Sequence, residues 1–137
     1  MYCDGASKGN PGPASIGAVV YDRDPDRSAD SSELIQISRA IGKATNNIAE
    51  YRSLLEGLKA IQSSLGAEYA NHRINIRMDS QLVIRQIEGK YKVKNANLKP
   101  VYEEVMSVLK QAGSFSVQHI PRELNKRADA LANEALK

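Results

Sequence analysis

The fold is decided by the opening stretch Met1–Pro13, MYCDGASKGNPGP, in which a short apolar start leads to one aspartate and then to a glycine-rich turn. Glycine permits backbone angles that a side chain would forbid, and Pro11 and Pro13 restrict others, so Gly9–Pro13 predicts a tight turn. Asp4 is therefore expected at the end of a strand beside flexible backbone, which is a common place for chemistry. Because most Asp-Gly pairs are only turns, the other acidic residues decide whether Asp4 has a function.

The length and composition indicate one domain with a single hydrophobic core. At 137 residues the chain can bury such a core, so we expect one domain over residues 1–137. Its one cysteine, Cys3, excludes an internal disulfide and is expected to be a buried thiol in a reducing compartment. No apolar run is long enough to span a bilayer, and the first thirty residues lack the apolar core of a signal peptide. We expect a soluble, cytoplasmic protein with no membrane partner, and a monomer.

The charge is unevenly distributed along the chain. The net charge is +3 and the pI is about 9.0, which favours an anionic partner. Residues 85–99 carry five basic side chains and one acidic side chain, whereas residues 22–33 carry five acidic and two basic side chains. The two ends of the molecule are therefore expected to differ in sign.

The apolar periodicity predicts the element order βββαβααβα. After the opening strand, further strands are expected at Ser15–Tyr21, Leu34–Ile41, Asn71–Met78 and Phe115–Ile120, and helices at 45–66, 81–88, 97–111 and 122–136. Gly42 is expected to end the third strand. Strands followed by helical crossovers indicate a mixed sheet, its later strands parallel and helices on its faces.

The loop after the second predicted strand carries alternating aspartates that faintly resemble a calcium-binding loop. The glycine and the distal glutamate that such a loop requires are not at their offsets. We therefore interpret Asp22, Asp24 and Asp26 as part of a solvated hairpin connection.

Three further acidic residues stand out. Glu50 lies on the apolar side of the first helix, four residues before Leu54, either at the wet edge of the apolar stripe or directed at a charged partner. Asp79 directly follows a strand, and Asp129 lies in the last helix. Because the carboxyl ends of parallel strands meet at one edge of a sheet, Asp4 and Asp79 are expected to be neighbours. Clustered carboxylates need a cation, and their oxygens suit Mg²⁺ or Mn²⁺, pairs of which serve phosphoryl transfer.

Four sequence blocks resemble, in order, the signature blocks of type 1 ribonuclease H, and the resemblance covers nearly the whole chain. The blocks are Tyr2–Pro13 (YCDGASKGNPGP), Thr45–Tyr51 (TNNIAEY), Met78–Gln81 (MDSQ) and His119–Asp129 (HIPRELNKRAD). The resemblance implies an α/β, ribonuclease H-like fold with a five-stranded mixed sheet in the order 3-2-1-4-5, strand 2 antiparallel, and helices on both faces. It also implies an endonuclease that hydrolyses the RNA strand of RNA/DNA hybrids and leaves 5′ phosphate and 3′ hydroxyl ends. Whether double-stranded RNA is also cut is left open.

The same resemblance assigns roles to individual residues. Two Mg²⁺ ions, for which Mn²⁺ is a potential substitute, would be held by Asp4, Glu50, Asp79 and Asp129, with Asp4 between them. His119 occupies the position of the family's auxiliary histidine, which is thought to assist proton transfer or product departure. A lone histidine at a strand end is more often structural, and His72, which has no such context, is interpreted as a surface residue.

Other residues of the blocks are expected to contact the substrate. Short amides suit the 2′ hydroxyls and base edges of the minor groove of the hybrid, and the matching positions are Asn10, Asn46, Asn47 and Gln81. Thr45, with Lys43 beside it, resembles the pocket that holds a phosphate of the DNA strand. Capping of the helix is the alternative role of Thr45 and Asn46.

The chain departs from the family's long bacterial form in two places. Only some ten residues join Gln86 to Asn97, so the family's basic protrusion is absent. A solvated loop is one interpretation of the basic residues found there, and binding to the phosphate backbone is the other; they are Lys90, Lys92 and Lys94. Asp4 also comes only three residues after the start, where the family's first strand is longer, so we expect either a clipped, less stable central strand or a missing leader.

A different class of function remains as the alternative, a non-catalytic nucleic-acid-binding module on the same fold. A copy that had lost its activity would be expected to have lost at least one of the four acids. All four are present, which favours the enzyme.

Overall fold

The computed structural model describes residues 1–137 as a five-stranded sheet with four α-helices. The strands are β1 (Tyr2–Ser7), β2 (Gly12–Tyr21), β3 (Glu33–Ala44), β4 (Arg73–Met78) and β5 (Ser114–His119). The helices are α1 (Asn46–Leu65), α2 (Gln81–Ile87), α3 (Lys99–Lys110) and α4 (Lys126–Glu134), with short 3₁₀ helices at Gly66–Asn71 and Arg122–Leu124. None of the helices combines the length and apolar character that crossing a membrane requires. The predicted order βββαβααβα is confirmed.

The strands lie side by side in the order β3-β2-β1-β4-β5. β2 runs antiparallel to β1 and β3, whereas β1 pairs parallel with β4, and β4 with β5. The expected sheet, with only its second strand antiparallel, is therefore confirmed. Since β1 and β4 are parallel neighbours at the centre, their carboxyl ends meet at one edge of the sheet, where sites of α/β proteins usually lie.

The core lies between the sheet and α1, together with α2 and α3. α1 begins and ends as predicted: the Thr45 hydroxyl accepts a hydrogen bond from the Ile48 amide (3.2 Å), and Gly66 (φ 57°) follows the last residue. The capping role proposed for Thr45 is thus confirmed. Cys3 is fully buried in this core, and burial raises the pKa of its thiol, which makes it a poor nucleophile. The fully buried side chains of α1 that pack here include Tyr51, Leu54 and Leu58.

Asp4 lies inside β1, so the prediction that the strand ends there is wrong. Antiparallel pairing with β2 continues to Ser7, whose partner is Ala14, and the Lys8 amide then donates to the Pro13 carbonyl (2.8 Å) to close the turn. Within this turn, only Gly9 adopts a left-handed backbone conformation (φ 101°). The ladder of hydrogen bonds therefore carries the strand past Asp4.

Gly42 does not end β3, which continues to Ala44. Gly42 adopts a φ of 80° and pairs with Ala14, while Ala40 pairs with Ser15, so Ile41 is an extra residue in the strand. The glycine thus marks a β-bulge, which bends the strand without terminating it.

The predicted helix 122–136 is shorter than expected. Asn125 has a non-helical backbone (φ −117°, ψ 28°), so the segment divides into the 3₁₀ helix Arg122–Leu124 and α4, which begins at Lys126. Similarly, the expected strand 71–78 begins only at Arg73, because Asn71 ends the 3₁₀ helix after α1.

The loop between β2 and β3 is a hairpin connection, as predicted, but it is tied to the sheet. The carboxylate of Asp24 accepts two hydrogen bonds from the Arg77 guanidinium (3.0 and 2.7 Å), and Asp26 lies 3.1 Å from the same group. These contacts hold the pKa of Asp24 below its ordinary value. Asp24 and Asp26 therefore serve a structural ion pair with Arg77.

Candidate active site

The parallel pairing of β1 and β4 brings Asp4 and Asp79 together. Tyr2 of β1 is the register partner of Arg77 of β4. Asp4 and Asp79 each come two residues later, so they lie next to each other. Asp79 follows β4 directly, and the Ser80 hydroxyl caps α2 by accepting from the Val83 amide (3.3 Å). The predicted proximity of the two aspartates thus follows from strand register.

Glu50 reaches the same place because α1 approaches β1 closely at Gly5. A Cβ atom on Gly5 would overlap the backbone of Ala49 and Glu50, so only glycine leaves room for the helix. Of the two interpretations of Glu50, the structure favours the one in which the side chain is directed at charged partners. One of its carboxylate oxygens, Oε2, is completely buried.

The three acids form a compact cluster of oxygen ligands. Asp4, Glu50 and Asp79 each offer one carboxylate oxygen, and these oxygens lie within 4.8 Å of one another. Asp4 is only 5% exposed, and Oε2 of Glu50 has no hydrogen-bond partner. A buried oxygen without a donor is costly, and a hard cation bound by carboxylates would satisfy it. The donor set therefore fits a divalent metal ion.

The electrostatics of the cluster point the same way. Burial, followed by the charge of Asp79 and contact with Asp129, raises the pKa of Asp4 to about 7. Burial also raises the pKa of Glu50 well above its usual range, and the charges of Asp4 and Asp79 add to this. Both acids resist ionisation in the absence of a cation, and a bound cation would favour the charged form.

Asp129 stands at the margin of this cluster. α4 packs closely on β2 because Gly17, the register partner of Asp4, has no Cβ to overlap Ala128 and Ala132. Asp129 thereby comes close enough to Asp4 to raise the pKa of Asp4, but it is not one of the three mutually close ligands. Its carboxylate accepts from Asn133 (3.2 Å) and lies 3.8 Å from the Arg122 guanidinium.

His119 is the last residue of β5 and is exposed. Its register partner is Met78, the residue before Asp79, so His119 flanks the edge of the sheet that carries the acids. An exposed imidazole there is accessible to solvent and to a bound molecule. His72, in contrast, follows the 3₁₀ helix after α1 and contacts the Glu68 carbonyl through Nδ1 (2.8 Å).

The turn after β1 and the start of α1 are joined by Asn10. Its side-chain oxygen accepts a hydrogen bond from the Asn46 amide (3.1 Å), which leaves the NH₂ group as the free end of the side chain. Thr45 caps α1 beside this contact. Two asparagines and a threonine therefore lie together at the start of α1, the helix that also carries Glu50.

The remaining residues expected to bind substrate are all at the surface. Lys90 lies 3.6 Å from Glu88, and neither Lys92 nor Lys94 makes an ion pair. The exposed members of the expected set are Lys43, Asn46, Asn47, Gln81, Lys90, Lys92 and Lys94. They lie at the end of β3, at the starts of α1 and α2 and in the loop after α2.

The sequence interpretation missed Asn125, Gly5 and Gly17 as determinants of the site. Asn125 is 1% exposed, and its side-chain NH₂ donates to the Asp79 carboxylate (3.2 Å). The two glycines leave the space in which α1 and α4 pack closely against the sheet. Asn125 and Gly5 lie within the quoted blocks, but nothing local distinguishes them from a turn asparagine or a turn glycine.

Two cavities of the molecule are lined by residues outside the acidic cluster. One of about 290 Å³ is lined by residues such as Tyr2, Tyr21 and Ile35, and one of about 410 Å³ by residues such as Arg27, Arg73 and Gln118. None of the clustered acids lines either cavity.

Comparison with known proteins agrees with this geometry. A family model described as reverse transcriptase-like matches residues 2–135. A bifunctional protein of Mycobacterium tuberculosis is 42% identical over 136 residues, which cover 99% of this chain and 35% of the relative. Ribonuclease HI of Halobacterium salinarum is 40% identical over 135 residues, covering 98% of this chain and 62% of the relative. The chain thus spans about a third of the first relative and less than two thirds of the second.

A solved structure shows the same architecture. The crystal structure of LC11-RNase H1 in complex with an RNA/DNA hybrid matches with a TM-score of 0.86 at 39% identity, covering 98% of this chain and 93% of that one. The sheet order, the blocks and these similarities agree. The chain belongs to the reverse transcriptase-like family and, within it, to the type 1 ribonucleases H.

Proposed function

We propose that this protein is an endonuclease that hydrolyses the RNA strand of RNA/DNA hybrids. The observation that carries the proposal is the cluster of Asp4, Glu50 and Asp79 oxygens within 4.8 Å, at the edge of the sheet where β1 and β4 meet. The solved relative that contains an RNA/DNA hybrid supports this choice of substrate. Residues 1–137 would act as one ribonuclease H domain, built around one core cluster.

The cofactor that fits this cluster is Mg²⁺, two ions per site, with Mn²⁺ as a potential substitute. Asp4, Glu50 and Asp79 would hold these ions, and Asp129 would complete the set from α4. The buried, unpartnered Oε2 of Glu50 is the structural support for a bound cation. When bound, such a pair of ions polarises the phosphate, activates a water and stabilises the leaving 3′ oxygen.

The remaining residues at this edge would orient the substrate and move protons. His119 is exposed at the end of β5, where it would receive or deliver a proton during attack or product departure. The free NH₂ group of Asn10 would bind a 2′ hydroxyl or a base edge in the minor groove, together with Asn46, Asn47 and Gln81. Lys43 and Thr45 would bind a phosphate of the DNA strand.

The products would carry 5′ phosphate and 3′ hydroxyl ends, because the scissile bond is the one to the 3′ oxygen. Cleavage of double-stranded RNA is left open and is included in the test, whereas the monomeric state belongs to the same proposal. A cytoplasmic location stays a prediction of the sequence.

The test is cleavage of end-labelled RNA/DNA hybrid, double-stranded RNA and single strands, with Mg²⁺, with Mn²⁺ and with a chelator. We expect metal-dependent cutting of the RNA strand of the hybrid. Asp79→Asn, which removes a ligand charge and preserves shape, should abolish the cutting while the fold persists. Asp30→Asn, the same change at an exposed loop residue, is the matched control and should remain active.

Two results would contradict the proposal. Hybrid binding without cleavage under any metal condition would favour the non-catalytic binding module. Near-normal cleavage by Asp79→Asn would show that the acidic cluster is not the catalytic centre.

A further inference from the structure

Asn125 connects three of the segments that carry the acids. Its side-chain NH₂ group donates to the Cys3 carbonyl (3.0 Å), directly before Asp4, and to Oδ1 of Asp79 (3.2 Å). Its backbone carbonyl accepts from the amide of Asp129 (3.1 Å). One residue between the 3₁₀ helix and α4 thus touches β1, the Asp79 carboxylate and the start of the helix that bears Asp129.

The orientation of this amide follows from its partners. The Cys3 carbonyl and the Asp79 carboxylate can only accept hydrogen bonds, so the NH₂ group must face them. The other end of the amide, Oδ1 of Asn125, is then buried without a donor. Because an unpaired buried acceptor destabilises a fold, packing alone does not account for an asparagine here.

We propose that Asn125 is a positioning residue that holds the Asp79 carboxylate beside Asp4 and Glu50, ready for the cation. The inference rests on the proposed function, in that it takes the acidic cluster to be a metal site. Asp79 is half-buried, and its carboxylate lies within 4.8 Å of carboxyl oxygens of Asp4 and Glu50, neither of which supplies a positive charge. Without a donor from the protein, its carboxylate would turn toward water.

A neutral amide suits this role better than a charged side chain. A lysine or arginine beside Asp79 would neutralise the carboxylate and compete with the metal for it. The NH₂ group of Asn125 instead fixes one oxygen of the carboxylate while leaving its charge in place. Hydrogen-bond partners behind metal ligands act in this way in metal sites generally.

A purely structural role would be to anchor α4, and the chain contains a matched control for it. The Ser38 hydroxyl donates to the Leu131 carbonyl (2.5 Å), so it also tethers α4 to the sheet, but Ser38 lies on β3 and makes no hydrogen bond to an acid. Ser38→Ala therefore loosens α4 and leaves the contact between Asn125 and Asp79 intact. Asn125→Ala removes both functions of the asparagine.

The experiment is calorimetric titration of Mn²⁺ into the complete chain, without substrate, together with thermal unfolding. We expect Asn125→Ala to weaken Mn²⁺ binding by about 10-fold or more, the typical effect of losing such a partner. Ser38→Ala should lower the melting temperature without weakening binding to this extent. Equal weakening in both variants, or unchanged binding in Asn125→Ala, would overturn the positioning role. Absence of Mn²⁺ binding in the wild-type protein would instead overturn the proposed metal site, and this inference with it.

A second measurement needs no folded variant. In ¹H–¹⁵N spectra of the wild-type protein, the side-chain NH₂ signals of Asn125 should shift on addition of Mg²⁺, because the carboxylate they bind becomes a ligand. Those of Asn75, which lies in β4 four residues before Asp79 and accepts from Ser116 (2.7 Å), should not shift. Signals of Asn125 that do not respond to saturating Mg²⁺ would overturn the inference.

Discussion

Burial of Asp4 opposes the ionisation of its carboxyl group in the folded protein. The ordinary pKa of an aspartate is near 3.8, and in the folded protein that of Asp4 is raised to about 7, chiefly by burial. Between these two pH values the folded chain keeps a proton that the unfolded chain releases. The free energy of unfolding of the metal-free protein should therefore fall as the pH rises from about 4 through about 7.

Asp4→Asn should remove the part of this dependence that Asp4 contributes. The variant carries no titrating group at residue 4, so its melting temperature relative to wild type should rise with pH across this window. At pH 8 in a chelator we expect it to be higher by roughly 3–5 °C, which corresponds to about 1 kcal/mol in a chain of this size. Melting curves at intervals from pH 4 to pH 8 provide the measurement, with Asp30→Asn as the control. A difference from wild type that stays constant over this range would show that Asp4 ionises normally.

His119→Ala should slow cleavage without abolishing it. The carboxylate cluster is untouched by the change, whereas a group that transfers protons is lost, so kcat should fall by about 100-fold. The other histidine supplies the control: His72→Ala should leave kcat unchanged. A loss as complete as that in Asp79→Asn would mean that His119 is a metal ligand or is needed for folding.

At the scale of elements, the site depends on how closely two helices approach the sheet. Because Gly5 has no Cβ, the start of α1 packs closely against β1, and because Gly17 has none, α4 packs closely against β2. Glu50 and Asp129 therefore come close to Asp4. Backbone atoms, which cannot move aside like the end of a flexible side chain, occupy the space that a Cβ would need. The spacing of the layers therefore sets the geometry of the acids.

Gly5→Ala should separate α1 from β1. We expect a loss of stability of about 1–3 kcal/mol, as for other overpacked interiors, and weaker Mn²⁺ binding because Glu50 moves away. Gly57→Ala is the matched control, since its Cβ would meet only the flexible side chain of Met1 among close neighbours. Urea unfolding and calorimetric titration of both variants are the measurements. Equal behaviour of the two would show that the close approach at Gly5 does not set the site.

At the scale of the whole molecule, the acidic segment 22–33 and the basic segment 85–99 differ in how far their charges are paired within the protein. The Asp24 and Asp26 carboxylates are occupied by Arg77, so much of the negative charge of the loop 22–33 is neutralised internally. Lys92 and Lys94 are exposed and unpaired in the loop after α2. The loop after α2 therefore keeps positive charge that is available to a polyanion.

Replacing Lys90, Lys92 and Lys94 together by alanine should weaken hybrid binding equally for all sequences. The plot of log affinity against log salt should flatten by up to about 0.9 per lost phosphate contact. Turnover at saturating hybrid should change little, because the acids are untouched. Replacing Arg23, Arg27 and Arg73 by alanine removes the same charge outside this loop and should leave the slope unchanged. An unchanged slope in the lysine variant would identify the loop as merely solvated.

The sequence by itself determined the order of elements and the limits of α1, and it singled out the four acids as candidates. Each of these depends on local information: apolar periodicity, a threonine cap, a terminal glycine, and short blocks around Asp4, Glu50, Asp79 and Asp129. The sheet order followed from the resemblance that those blocks carry, and the structure confirms it.

Only the tertiary structure decided how these residues meet. It placed Asp4 inside β1 and began the last helix only after Asn125. It also directed the side-chain NH₂ group of Asn125 at the carboxylate of Asp79. The burial that raises the pKa of Asp4 could not be predicted from the sequence either. The physical reason is that strand register and helix approach join residues far apart in sequence. A pattern read along the chain shows which residues share an element, but the distances between elements are set by packing.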